Sequence, residues 1–99
     1  MSLLHTVVFT LAHAPGSPEE ARFLDDGVRI LTAIPGVQDF TVRAQVSPKS
    51  NKRWQFAMRF DDQAAYEAYD RHPDHQAFVA ERWLTEVVDF QEYDFVDRG

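Results

Sequence analysis

Leu3-Leu4-His5-Thr6-Val7-Val8-Phe9-Thr10-Leu11 is the stretch from which the fold can be read. Side chains two residues apart share one face of an extended strand. His5, Val7, Phe9 and Leu11 therefore form one face, and Leu4, Thr6, Val8 and Thr10 form the other. Neither face is strongly polar, so both are expected to be covered. Downstream, Ala14-Pro15-Gly16 turns the chain, and Ser17-Pro18-Glu19-Glu20 supplies an N-cap, a proline at the first helical position and a capping-box glutamate. Leu24, Val28, Leu31 and Ile34, with Phe23 alongside, predict the apolar stripe of that helix, which Pro35-Gly36 stops.

Val37 to Val46 reads as a second strand, with Phe40, Val42, Ala44 and Val46 on one side. After a polar loop, Trp54, Phe56, Met58 and Phe60 alternate with Gln55, Ala57 and Arg59 as a half-buried third strand. Asp61 or Asp62 caps a second helix carrying Ala65, Tyr66 and Tyr69. A residue before proline is pushed out of the helical region, so His72 ends this helix and Pro73 opens another, running to about Trp83. Val87, Val88, Phe90, Tyr93 and Phe95 mark a last strand. The order β-α-β-β-α-β predicts an α+β, ferredoxin-like domain with an antiparallel sheet and its helices on one face. Leu4, Val8, Val88 and Phe90 would then lie on the bare face, and a second copy packed sheet to sheet would cover them, giving a homodimer.

The 99 residues make one domain. With 10 Lys and Arg against 16 Asp and Glu, the net charge of −6 disfavours nucleic acid and anionic membranes as partners. Lys49, Lys52 and Arg53 sit in a polar stretch and read as a solvated hairpin tip. The absence of cysteine removes disulfides, a thiol nucleophile and cysteine metal ligands. Leu3 to Ala12 superficially imitates an export signal, but it lacks a basic leader and is interrupted by His5, Thr6 and Thr10, so a cytoplasmic protein is expected. No apolar run is long enough to span a bilayer.

The chemistry-bearing residues are His5 and the run Tyr69-Asp70-Arg71-His72-Pro73-Asp74-His75. Phe78, Val79 and Arg82 follow His75 at the spacing of one helix face, which turns the imidazole inward. Burial and the positive helix N-terminus both disfavour imidazolium there, so a neutral ring able to accept a proton is expected. His72 and His75 stand three apart, but the proline between them breaks the register, and no metal site is expected. His13 lies roughly 26 Å of extended chain from His5, too far to share its site, and is expected to be exposed. Asp89 could either orient a histidine or end in solvent. No Ser-His-Asp set, phosphate-cradling loop or dinucleotide fingerprint occurs, and no cofactor is expected.

Several of these segments together resemble the stress-responsive dimeric α+β barrel (Dabb) family. They are His5-Thr6-Val7-Val8-Phe9, Ile34-Pro35-Gly36-Val37, Ala65-Tyr66-Glu67-Ala68-Tyr69 with His72-Pro73-Asp74-His75, and Val87-Val88-Asp89-Phe90. The resemblance implies a dimer whose two sheets close into a barrel, with a pocket in each subunit between sheet and helices. A plant member of the family is a polyketide cyclase that closes a ring by aldol condensation without metal or organic cofactor. By that resemblance His75 corresponds to the base, Tyr69 to an orienting phenol and His5 to an assisting histidine. Val7, Phe9, Phe23, Trp54, Phe56, Phe78 and Asp89 would contact the substrate, with Trp54 and Asp89 departing from the relative's pocket wall.

Three classes of function follow. The first is a stress-associated dimer that binds a small carbonyl or aromatic molecule without turning it over. The second is a cofactor-independent cyclase or isomerase using the His/Tyr pair, and the third a cofactor-free small monooxygenase.

Overall fold

The computed structural model describes residues 1–99. Strand β1 (Leu3–Leu11) leads through a turn to α1 (Pro18–Leu31), followed by β2 (Gln38–Ala44) and β3 (Trp54–Phe60). Two helices, α2 (Gln63–Arg71) and α3 (Pro73–Phe78), run into a π-helical turn at Val79–Trp83 and a last α-helical turn at Leu84–Glu86, before β4 (Val87–Phe95). The strands form one antiparallel sheet in the order β2-β3-β1-β4, so β1 is internal. The α+β, ferredoxin-like expectation holds.

Local chemistry sets the helix boundaries. The Ser17 hydroxyl accepts from Glu20 N–H, and Pro18 takes the first turn, where its missing N–H costs nothing. Asp62 performs the same task for α2 by accepting from Ala65 N–H. The chain leaves α1 at Thr32, and Gly36 completes the turn at φ +93°, a conformation that favours glycine.

The inward face of α1 differs from the predicted stripe. Phe23, Gly27 and Leu31 are buried, while Val28 is 37 % exposed. Gly27 is the reason. A Cβ there would stand 2.8 Å from Phe56 Cζ, so the bare backbone lets α1 settle onto the aromatic ring. Phe9, Phe23, Phe56 and Trp83 then interlock, with ring centroids 4.8 Å apart for Phe9 and Phe56 and 4.9 Å for Phe9 and Trp83. Such aromatic contacts add to the burial term that dominates the core.

Other expectations shift with the geometry. Val46 lies beyond β2 and is 88 % exposed. His13 is not free in solvent: its Nε2 lies 2.6 Å from Glu86 Oε1, and Arg82 joins the same carboxylate to Asp26 on α1. Burial pushes the Glu86 carboxyl up, but bonds from Arg82 and His13 outweigh it and hold the group below its ordinary range. The network ties the start of the β1–α1 connection to the segment preceding β4.

An irregularity between Thr10 and Leu11 changes the phase of β4: Thr10 pairs with Asp89 and Leu11 with Val87, so Val88 is skipped. Phe90 consequently lies opposite Phe9 on the helix side, not on the bare face. Tyr93 and Phe95, opposite Thr6 and Leu4, occupy the bare face and stack at 5.9 Å.

Gly27→Ala should lower stability by up to about 2 kcal/mol in urea unfolding. The clash with a fully buried ring costs roughly 1–3 kcal/mol and exceeds the gain in helix propensity of about 1 kcal/mol. A more stable variant would show that the Phe56 ring yields freely.

Candidate functional site

The His72–Pro73 break builds the site. His72 leaves the helical region at ψ 137°, and its Nδ1 accepts from Asp74 N–H, so it closes α2 and caps α3 together. The chain bends enough for His75 to face back toward the end of α2, where its Nδ1 lies 2.9 Å from the Asp70 carbonyl. A carbonyl only accepts, so Nδ1 carries the hydrogen and Nε2 of the neutral ring keeps its lone pair.

Beneath this break lies a cavity of about 290 Å³ between the helices and the sheet. His5 and Val7 from β1 and Phe56 and Met58 from β3 form its floor. Tyr66, Tyr69 and Asp70 enter from α2, and His75 and Phe78 from α3. Trp83 and Leu84 from the following turns, with Phe90 and Glu92 from β4, line the remaining side, which opens to solvent at Leu84 and Glu92. The π-helical turn contributes directly: Leu84 N–H reaches back five residues to the Val79 carbonyl, and Trp83 within that turn is swung onto the aromatic core.

His5, Tyr69 and His75 all line this cavity. The Tyr69 ring centroid is 4.6 Å from that of His75 and 6.3 Å from that of His5. Tyr66, which carried no site role in the sequence reading, lies closer to His5, at 4.9 Å. Tyr66 and Tyr69 both line the cavity, and no buried side-chain polar atom is left without a partner. Burial, with Asp94 and Asp70 beside Tyr66 and with Tyr66 and Asp70 beside Tyr69, raises both phenols well above their ordinary value. They remain protonated donors. Burial likewise pulls His75 below its ordinary 6.5, although the Asp70 carbonyl and nearby carboxylates oppose the shift.

Asp94 is the residue sequence reasoning missed. Its Oδ1 lies 2.6 Å from His5 Nδ1, because β4 pairs Asp94 directly across from His5. The carboxylate fixes the His5 ring with Nδ1–H toward Asp94 and Nε2 free, the relation by which a carboxylate orients a working imidazole. Its place in the phase of β4 depends on the irregularity near Val88, which the pattern of residues did not reveal.

Of the predicted substrate contacts, Val7, Phe56 and Phe78 line the cavity. Phe9 and Phe23 do not: both are wholly buried in the packed core. Trp54 also lies elsewhere, its indole Nε1 donating to Glu20 Oε2 at 3.1 Å across to α1. Asp89 points away on the bare face, where Lys52 Nζ meets it at 2.8 Å. This partner ties down Lys52, which the sequence had placed at a solvated tip. No three His, Asp or Glu side chains converge as metal ligands, and no helix is long and apolar enough to cross a membrane.

A ferredoxin-like sheet carrying two oriented histidines and two phenols around one cavity defines the class. The chain belongs to the stress responsive A/B barrel domain family, whose model matches residues 3–97. It is 53 % identical to a Dabb family protein of ferredoxin-like fold from Mesorhizobium loti, with a TM-score of 0.98 over 99 % of this chain and 98 % of that one. A dimeric ferredoxin-like protein from Thermobifida fusca is 21 % identical, with a TM-score of 0.76 over 98 % of this chain and 92 % of that one. A hydroxynitrile lyase from Passiflora edulis is 10 % identical and shares the fold, with a TM-score of 0.84 over 99 % of this chain and 95 % of that one. No curated protein sequence matches the chain.

The His75 ring should titrate below pH 6.5 and stand at pH 7 as the Nδ1–H tautomer. Nitrogen and ring-proton shifts followed by NMR across pH 4–9 check both points. A normal or raised value would mean that the ring is solvated rather than buried beside Tyr69.

Proposed function

We propose that this protein is a homodimer whose cavity binds a small carbonyl compound, and that His75 removes a proton from the carbon next to the carbonyl. The observation that carries this reading is the pinning of His75 Nδ1 on the Asp70 carbonyl, which leaves Nε2 basic and beside the Tyr69 ring. In the proposed step the C–H bond breaks, its proton passes to Nε2, and the electron pair moves onto the carbonyl oxygen. A protonated phenol, Tyr69 or Tyr66, donates a hydrogen bond to that developing negative charge. Return of the proton to a different atom, or attack of the new carbanion on a second carbonyl of the same molecule, gives isomerisation or ring closure without any cofactor. The apolar floor of Val7, Phe56 and Met58 accommodates an aromatic or aliphatic body.

Exchange of α-hydrogens for deuterium in a panel of small ketones, followed by NMR, tests the step. His75→Ala should reduce exchange by about 10²- to 10⁴-fold while the fold persists. Tyr69→Phe should cost roughly ten-fold, since it deletes one hydrogen bond to developing charge and keeps the ring. The wild-type rate should persist at pH 6.5 and fall only at lower pH, because the lowered pKa of His75 keeps the ring neutral down through its ordinary titration range. Full exchange in the His75→Ala protein would rule the mechanism out.

The homodimer rests on the bare sheet face and on the dimeric state of the Thermobifida fusca relative. Leu4 and Val8 remain only half-buried there, with Tyr93 and Phe95 46 % and 51 % exposed beside them. Val8→Glu would place unpaired carboxylates in a closed interface at a cost of several kcal/mol, and should split or unfold the dimer. Light scattering at micromolar concentration decides: a wild-type monomer removes the proposal.

A further inference from the structure

The cavity carries a charge pattern that its proposed chemistry does not require. β4 sets Phe90, Glu92 and Asp94 in a row on the helix side of the sheet, opposite Phe9, Val7 and His5. Asp94 is engaged with His5, but Glu92, which lines the cavity, enters no ion pair with any group of the chain. Asp70, at the end of α2, also lines the cavity, and its carboxylate Oδ1 lies 3.9 Å from His75 Nδ1. No lysine or arginine lines the cavity. Glu92 acts on His75 and Tyr69 by charge, and Asp70 acts on both as well, on His75 also through its backbone carbonyl, so the fields of both carboxylates reach the groups that line the cavity. Tyr66, Tyr69 and Trp83 line the same cavity, and aromatic walls attract an organic cation through their electron-rich faces.

We infer that Glu92, with Asp70, makes this cavity select carbonyl compounds that carry a protonated amine and reject their carboxylate counterparts. The inference rests on the cavity being the ligand site, as proposed above, but not on turnover. An ammonium group at the mouth would sit between Glu92 and Asp70, against the aromatic walls, while the carbonyl end reached His75 and Tyr69. A carboxylate in the same place would face two like charges with no cation to offset them. The chain's net charge of −6 adds a long-range bias in the same direction.

Binding of three probes of similar size, benzylammonium, acetophenone and benzoate, separates charge from shape, and phenacylammonium combines the amine with the carbonyl. Binding is read by NMR shifts of His75 and Tyr69, which report the cavity alone. At low salt, benzylammonium should bind about ten-fold or more tighter than benzoate, with acetophenone between them and phenacylammonium tightest. Glu92→Gln and Asp70→Asn should each narrow the gap several-fold and weaken the dependence on salt. Benzoate binding as tightly as benzylammonium, no benzylammonium binding at millimolar concentration, or a preference untouched in both variants would overturn the inference. Hydrogen exchange of acetophenone derivatives fails or succeeds separately, so a charge preference without exchange would sink the catalytic proposal and leave this one standing.

Discussion

Everything distinctive about this molecule depends on one backbone constraint, the inability of His72 to remain helical before Pro73. Proline's ring excludes the preceding residue from the helical region and removes one N–H, so a helix must end here whatever its side chains prefer. The sequence answers with a residue that serves both sides, since His72 terminates α2 and its ring accepts from the first turn of α3. An uninterrupted helix would carry His75 onward along the axis of α2. The break instead folds it back against the Asp70 carbonyl and over Tyr69. A steric rule about one dihedral angle thereby fixes a tautomer and the position of an imidazole lone pair.

The two imidazoles are held by different acceptors. Asp94 holds His5 from the neighbouring strand, so that ring's orientation depends on sheet register; His75 is held by the backbone of its own helical segment and depends on the break. Each keeps Nδ1 as the donor and frees Nε2. Tyr66 and Tyr69 lie between them, buried enough to remain protonated, so the cavity contains lone pairs and O–H donors within a few ångströms of each other. Bulk water would level these roles, whereas apolar walls keep acceptors and donors distinct.

Much of this was legible before any coordinates. The two-faced alternation of β1, the Ser17-Pro18 helix start, the Asp62 cap and the His72-Pro73 break each express a local rule, and each appears where that rule puts it. What escaped was decided by contacts at a distance. The face of α1 turns on the fit of Gly27 to Phe56, residues joined only by tertiary packing. Trp54 looked like a pocket wall until Glu20, itself buried, took its indole hydrogen. Asp89, Phe90, Glu92 and Asp94 were misassigned or overlooked for one reason: a skipped residue at Val88 sets which parity of β4 faces the helices, and parity cannot be counted across an unseen irregularity.

The cavity must also be reconciled with stability in so small a domain. A closed, dry void of 290 Å³ would cost on the order of 7 kcal/mol at the rate measured for buried cavities, comparable to the whole stability of many domains. The fold avoids that cost by leaving one side open, where Leu84 is 69 % exposed and Glu92 stands at the surface, so the void is not sealed, while His5 and Tyr69 stay buried at its inner end. The densely interlocked rings of Phe9, Phe23 and Phe56 stay apart from this opening, near the middle of α1. One half of the sheet face is therefore filled for stability and the other carries an open cavity. The boundary between them runs along Phe56 and Trp83, which pack against the core with one part of their surface and line the cavity with the other.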